Sequence, residues 1–154
     1  MSGLSLAASL ANPDFSYVLA VAAAGVPSLL MFATHKVSKA RKAAKIAYPA
    51  AYADNALAER DLKAKQFNCA QRSHQNTLEN LPLFLTSLLY TGLHHPKYAA
   101  AAGAIWVVGR FAYVIGYSSG EPKKRYAVAI QYIGQLPLLL FSIYKSVAVL
   151  PCFQ

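Results

Sequence analysis

Four long apolar segments, separated by shorter polar ones, dominate the pattern of hydrophobic and polar positions along the chain. The first, residues 15–34, has no charged side chain. Its length matches the ~20 residues that a helix needs to cross a hydrocarbon core of ~30 Å. The pattern predicts an all-α membrane protein, a four-transmembrane-helix bundle formed by a single domain over residues 1–154. The predicted spans cover residues about 15–35, 67–93, 98–119 and 126–150.

The second span is unusual because charged residues lie inside an apolar helix. Its first half contains Arg72, His74 and Glu79, and ionisable groups at membrane depth usually face a partner, a ligand or the interior of a bundle. Helical spacing places one face of polar residues opposite a face of leucines. We call the first face the polar stripe; it consists of Asn68, Arg72, Asn76 and Glu79. His74 lies off this stripe, so we expect it either to pack within the bundle or to make a contact across a subunit interface.

A second group of polar residues lies in the third span, where Arg110, Tyr113 and Tyr117 follow helical spacing. Tyrosines alone are typical of core packing or of the belt at a membrane interface. Arg110 beside them favours a functional site.

Three short features predict how the helices pack. The segment HHPK at 94–97 predicts a tight turn, which makes the second and third spans antiparallel neighbours. The small residues at 99–104 predict close helix packing. Gln131 and Gln135, one turn apart in the fourth span, predict hydrogen bonds between helices.

Charge adds the orientation of the loops. Only 14% of the residues are charged, yet the formal net charge is +9. The basic residues cluster at the ends of apolar segments, which is typical of topology signals and headgroup contacts rather than of nucleic-acid binding. The loop after the first span carries eight Lys or Arg, and the loop after the third carries three. The positive-inside rule therefore predicts cytosolic first and third loops and lumenal termini.

The polar residues of the second and third spans, together with the basic loops after the first and third spans, predict a cationic, hydrogen-bonding pocket with one carboxylate near the cytosolic face. Such a pocket suits a small polar ligand with carboxylates and an ammonium group, because arginines pair with carboxylates and Glu79 pairs with the ammonium. A lipophilic co-substrate would reach the pocket from the bilayer. The alternative is an intramembrane salt-bridge network with a structural role. We expect no metal site and no catalytic thiol at Cys69 or Cys152.

The motifs of the second and third spans resemble those of the MAPEG family of small integral membrane proteins. The resemblance rests on FNCAQRSHQNTLENLPLF at 67–84, on HHPK, and on WVVGRFAYVIGYSSGEPKKR at 106–125. It implies a four-helix membrane bundle assembled as a homotrimer, located in the endoplasmic reticulum. It also implies that glutathione binds as a co-substrate between neighbouring subunits, toward the cytosolic side.

Site residues follow from the resemblance position by position. Arg125 matches the family's catalytic arginine, although Lys124 falls at the ungapped spacing in leukotriene C synthase. That enzyme has a tyrosine where this chain has Asn80, which removes one aromatic wall. The implied glutathione-binding residues are Arg41, Arg72, His74, Asn76, Glu79, Arg110, Tyr113 and Tyr117.

The implied activity is that of a glutathione transferase or peroxidase. Glutathione would be activated as a thiolate that attacks lipophilic electrophiles, such as lipid epoxides, or reduces lipid hydroperoxides. The alternative is a non-catalytic lipid-binding or scaffold member of the same family. Four spans without an inverted repeat give no indication of a solute carrier.

Overall fold

The structure is a computed structural model that describes residues 6–121, 123–124, 126 and 129–148. Within these residues the chain forms helices and no strand. A π-helical turn at Val21–Gly25 joins α2 to α3, so that one continuous helix runs from Phe15 to Ala44. The helices are α1 (Leu6–Leu10), α2 (Phe15–Ala20), α3 (Val26–Ala44), α4 (Asn55–Arg60), α5 (Leu62–His94), α6 (Pro96–Tyr117) and α7 (Ala129–Ala148).

The first helix extends beyond its predicted span. The basic residues 36–42 were expected in a loop, but they lie on α3, which ends only at Ala44. Alanine, lysine and arginine are strong helix formers, so the helix continues after the apolar segment has ended. Lys45 then stops it in a left-handed conformation, with φ 55°.

The second helix begins earlier than predicted. α5 starts at Leu62, five residues before the predicted span, because the Asp61 side chain accepts a hydrogen bond from the Lys63 backbone N–H at 2.9 Å. This contact caps the free N–H groups of the first turn. At the other end, only His95 separates α5 from α6. The predicted tight turn is therefore confirmed, and the two helices pack against each other.

Small residues allow α6 and α7 to approach closely. A Cβ atom on Gly109 would lie 2.6 Å from the Gln131 backbone nitrogen, and one on Gly134 would overlap the Ala102 carbonyl oxygen. The prediction of close packing at 99–104 is confirmed by this contact. The nearby core is apolar: the rings of Phe84 and Trp106 stack with centroids 3.7 Å apart, and both are fully buried.

The C-terminal half of α5 is tied to α7 by polar groups. Gln135 Nε2 donates to Ser87 Oγ at 3.2 Å, which confirms the predicted interhelical hydrogen bond for Gln135. Thr91 Oγ1 donates to the Leu138 carbonyl oxygen, also at 3.2 Å. Gln131 is buried as well, but its Oε1 has no hydrogen-bond partner in the part of the chain that the structure describes.

The outer surface is suited to lipid. Among the described residues, two helices are long and apolar enough to cross a membrane by length and composition: Phe15–Ala44 and Pro96–Tyr117. Large apolar side chains point outward on several helices, including Met31, Val108 and Ile133, which are each more than 60% exposed. In water such a surface would be unfavourable, whereas in a bilayer it needs no cover.

Candidate functional site

Two opposite charges of the polar stripe pair with each other. Arg72 Nη1 lies 2.9 Å from Glu79 Oε1, and both side chains are 45% exposed. The two residues are seven positions apart on α5, which places them two turns apart on one helix face. Because the pair is half exposed, it is accessible to a ligand that carries both charges.

Beneath this pair lies a buried arginine from the neighbouring helix. Arg110 on α6 is fully buried, and its Nη1 donates to Asn76 Oδ1 at 2.8 Å. Its guanidinium also lies over the rings of Trp106 and Tyr113, at 5.3 and 5.5 Å. Among the described residues, its Nε and Nη2 atoms have no hydrogen-bond partner. A buried arginine with two unsatisfied nitrogens indicates a site for an anionic or hydrogen-bond-accepting group.

The tyrosines of α6 join this group. The ring centroids of Tyr113 and Tyr117 are 5.6 Å apart. Tyr113 is buried, and it lies close enough to Arg72 to interact with its charge. The structure therefore brings six of the predicted site residues together on the facing sides of α5 and α6: Arg72, Asn76, Glu79, Arg110, Tyr113 and Tyr117.

Arg41 is held elsewhere. Its Nη1 donates to the Ala50 carbonyl oxygen at 2.7 Å, and its guanidinium lies between the rings of Tyr48 and Phe67, at 4.3 and 4.5 Å. It is 8% exposed. In this chain Arg41 anchors the loop after α3, and a contact with glutathione stays a prediction.

His74 also has a partner within the chain. Its Nε2 lies 3.3 Å from Thr34 Oγ1 on α3. This contact links α3 to α5 on a face other than the polar stripe. Its role in binding glutathione therefore stays a prediction.

The predicted catalytic arginine lies outside the described residues, and so does Cys152. Arg125 follows α6 in a segment of which Glu121, Lys123 and Lys124 are described. Lys124, the alternative to Arg125, forms an ion pair with Glu121 at 3.1 Å. Cys69 is a buried free thiol on α5. No group of three potential metal ligands occurs among the residues that the structure describes.

Asn68 keeps its helical spacing with Arg72, but its side chain contacts the preceding loop. Its side-chain amide pairs with the backbone of Ala53 in both directions, accepting from the N–H at 2.7 Å and donating to the carbonyl oxygen at 3.0 Å. Helical spacing alone did not indicate that the preceding loop folds back onto α5. Asn68 therefore anchors this loop instead of lining the ligand site.

Tyr52 and Gln75 form a further contact beside the site, one that the sequence did not predict. The Tyr52 hydroxyl donates to Gln75 Oε1 at 2.6 Å, between the loop and α5. Burial raises the pKa of Tyr52, and the Arg72 guanidinium lowers it by less, so the hydroxyl keeps its proton at neutral pH and acts as a donor. No spacing in the sequence connects a loop tyrosine to a helical glutamine 23 residues later.

Comparisons with known proteins identify the relatives of this chain. An uncharacterized protein of the cyanobacterium Synechocystis is 32% identical over 77 residues, which cover 49% of this chain and 56% of the relative. The chain thus matches little more than half the length of that relative. The sequence profile of the MAPEG family matches residues 18–144, which include all six residues gathered on α5 and α6. The chain therefore belongs to the MAPEG family of membrane proteins, which includes glutathione transferases and peroxidases.

Proposed function

We propose that this protein is an integral membrane glutathione transferase with glutathione peroxidase activity, acting on lipophilic electrophiles and lipid hydroperoxides. The observation that carries the proposal is the half-exposed Arg72–Glu79 pair above the buried Arg110–Asn76 contact. Family membership supports the proposal. The sequence motifs of this chain resemble those of type 3 microsomal glutathione transferases most.

The pair suits the amino-acid end of glutathione. Glutathione has an ammonium group and a carboxylate on one carbon, a second carboxylate at its other end, and a thiol between them. An exposed ion pair contributes little to stability, so it opens readily. A zwitterion inserted between the two side chains replaces one ion pair with two: its carboxylate with Arg72 and its ammonium with Glu79. Arg110 supplies further donors, and Tyr113 and Tyr117 line the site.

Arg125 is proposed to stabilise the thiolate. A thiol pKa of ~8.5 falls by roughly 1–3 beside an arginine, by analogy with carboxylates. That change corresponds to about 1.4–4 kcal/mol in favour of the thiolate. In conjugation, the sulfur attacks an epoxide carbon as the C–O bond breaks, and the alkoxide that leaves takes a proton from water. In reduction, the sulfur takes the terminal oxygen of a lipid hydroperoxide as the O–O bond breaks, which leaves the lipid alcohol and glutathione sulfenic acid. A second glutathione thiol then condenses with the sulfenic acid to give glutathione disulfide and water. The protein contributes position and charge, and glutathione contributes the nucleophile.

Family membership also supports an arrangement in the membrane. We infer four membrane spans, a homotrimer, residence in the endoplasmic reticulum, and lumenal termini. Under this topology the Arg72–Glu79 pair lies toward the cytosol, where glutathione is available, whereas the apolar outer faces give lipid substrates a lateral approach.

The first test replaces Arg125 with Ala in detergent-solubilised protein. Wild type should show a saturable ultraviolet thiolate absorbance as glutathione is added at neutral pH. Arg125→Ala should lose this absorbance, and its conjugation turnover should fall roughly 10²–10³-fold, as when one donor to a developing charge is removed. Oligomer size should not change.

Lys123→Ala is the matched control, since it removes a neighbouring positive charge and should keep the thiolate signal. A signal retained in Arg125→Ala would move the catalytic role to Lys124 or Arg110. The absence of any signal in wild type would refute the proposal and favour the lipid-binding alternative. One observation agrees with that alternative: Arg72 and Glu79 neutralise each other's charge within the chain.

A further inference from the structure

The loop after α3 is anchored next to the polar stripe at two points. At its start, the Arg41 guanidinium lies between the Tyr48 and Phe67 rings and donates to Ala50. At its end, the Ala53 backbone makes two hydrogen bonds with the Asn68 amide. Each anchor includes a buried residue, Arg41 in the first and Ala53 in the second, and solvent screens buried polar contacts weakly. The residues between them are therefore held in place against α5.

Tyr52 lies between these anchors and reaches α5. Its hydroxyl donates to Gln75 Oε1 at 2.6 Å, a short hydrogen bond. The bond fixes the Gln75 amide, because its oxygen must face Tyr52 and its NH2 group must face away. Gln75 lies four residues, one helical turn, before Glu79 on α5, a spacing at which two side chains are neighbours on the helix surface. The Tyr52–Gln75 hydrogen bond thus places the loop one helical turn from the Arg72–Glu79 pair.

We propose that Tyr52 is a positioning residue for glutathione binding: through Gln75 it holds the Glu79 carboxylate in place to receive the ammonium group. The inference rests on the proposed function and adds the loop to its site. Without the Tyr52 hydroxyl, the Gln75 amide is free to rotate, and its oxygen can then face the carboxylate instead of its NH2 group. Glu79 loses a donor, and its charge is less well ordered for the ligand.

The test compares two ligands on two variants. Glutathione carries the ammonium, and its deamino analogue, glutaryl-cysteinylglycine, lacks it but keeps both terminal carboxylates and the thiol. Calorimetric titration of full-length protein in detergent would measure both affinities. Tyr52→Phe should weaken glutathione binding roughly 3–10-fold, the range for one hydrogen bond. Binding of the deamino analogue should not change.

Tyr48→Phe is the matched control. Tyr48 lies in the same loop and keeps its ring against Arg41, and within the described part of the chain its hydroxyl makes no hydrogen bond. Its affinities for both ligands should equal those of wild type. Gln75→Met removes the acceptor of the Tyr52 hydroxyl and should reproduce the effect of Tyr52→Phe. The double variant Tyr52→Phe/Gln75→Met should lose no more than Gln75→Met alone.

The outcomes separate the inference from the proposed function. If wild type binds glutathione and Tyr52→Phe binds it equally well, Tyr52 has no positioning role. An equal loss for both ligands would mean that the loop acts only on stability, which also overturns the inference. If wild type binds neither ligand, the proposed function itself fails.

Discussion

In the C-terminal half of α5, the buried hydroxyls of Ser87 and Thr91 hydrogen-bond to α7. Nearer the start and middle of α5, two of the polar side chains are charged, and their pattern of contacts is different. Arg72 and Glu79 pair with each other at a half-exposed position. Below them, Arg110 is fully buried but uses only one of its nitrogens in a hydrogen bond within the described chain.

The difference separates two uses of polarity in one helix. Satisfied hydroxyls and amides fix two helices in register, since each group would cost free energy if left alone in an apolar surrounding. A buried charge whose donors are unpaired costs free energy in the protein alone. A ligand that pairs with these donors would offset that cost. On this comparison the C-terminal half of α5 is structural, and the part of α5 around Arg72 and Glu79 is where we propose that a ligand binds.

The most direct way to break the comparison is Arg110→Met, which keeps an unbranched, flexible side chain but removes its charge. If Arg110 serves a ligand, glutathione affinity should fall roughly 10–100-fold, as when a hydrogen bond to a charged group is lost. Calorimetric titration measures this loss. The midpoint of thermal unfolding should stay equal or rise, because methionine fills the site without a desolvated charge. A lower midpoint with unchanged affinity would place Arg110 among the structural residues.

The next effect concerns stability alone. Gly134→Ala places a methyl group against the Ala102 carbonyl oxygen, so α6 and α7 must separate. We expect a loss of about 1–3 kcal/mol in the free energy of unfolding, measured by denaturant titration in detergent. Gly25→Ala is the control, since its new Cβ would lie 3.5 Å from the Val107 side chain, an ordinary contact. Equal stability of the two variants would contradict the close approach of the helices.

The smallest effect sharpens the structural half of the comparison. Gln135→Leu removes the donor to Ser87 and replaces the amide with an apolar side chain of similar size. The free energy of unfolding should fall by about 0.5–1.5 kcal/mol, the net value of one hydrogen bond. Glutathione affinity should equal that of wild type. Weaker glutathione binding in this variant would show that the two halves of α5 are coupled.

Periodicity was sufficient for those features that depend on a single helix. The contact of Arg72 with Glu79 follows from their spacing on one helix. The turn at His95 follows from the HHPK segment, in which Pro96 begins the next helix. The end of α3 was mispredicted because hydropathy reports where apolar residues stop, whereas helix propensity continues through the alanines and lysines as far as Ala44.

Features that depend on how a loop folds back were not predictable from one sequence. Nothing in the spacing pairs Asn68 with Ala53, or Tyr52 with Gln75. Arg41 shows the same limit, because nothing in its position along the sequence indicates that its guanidinium contacts the Tyr48 and Phe67 rings. Family resemblance identifies residue types at matching positions, and only the structure shows which partner each side chain has.

The length of the first helix has a kinetic consequence. Its 30 residues make a rod about 45 Å long, about 15 Å more than a hydrocarbon core needs. In the proposed arrangement, in which residues 15–34 cross the core, the extension carries Lys36, Lys39 and Lys42 on one rigid helix past the edge of the core, into the headgroup layer and the water next to it. A fixed positive field at that height attracts anions, and glutathione is a net anion at neutral pH. The rate of glutathione capture should therefore decline as salt shortens the Debye length from ~10 Å at ~0.1 M to ~3 Å at ~1 M, while dissociation changes little.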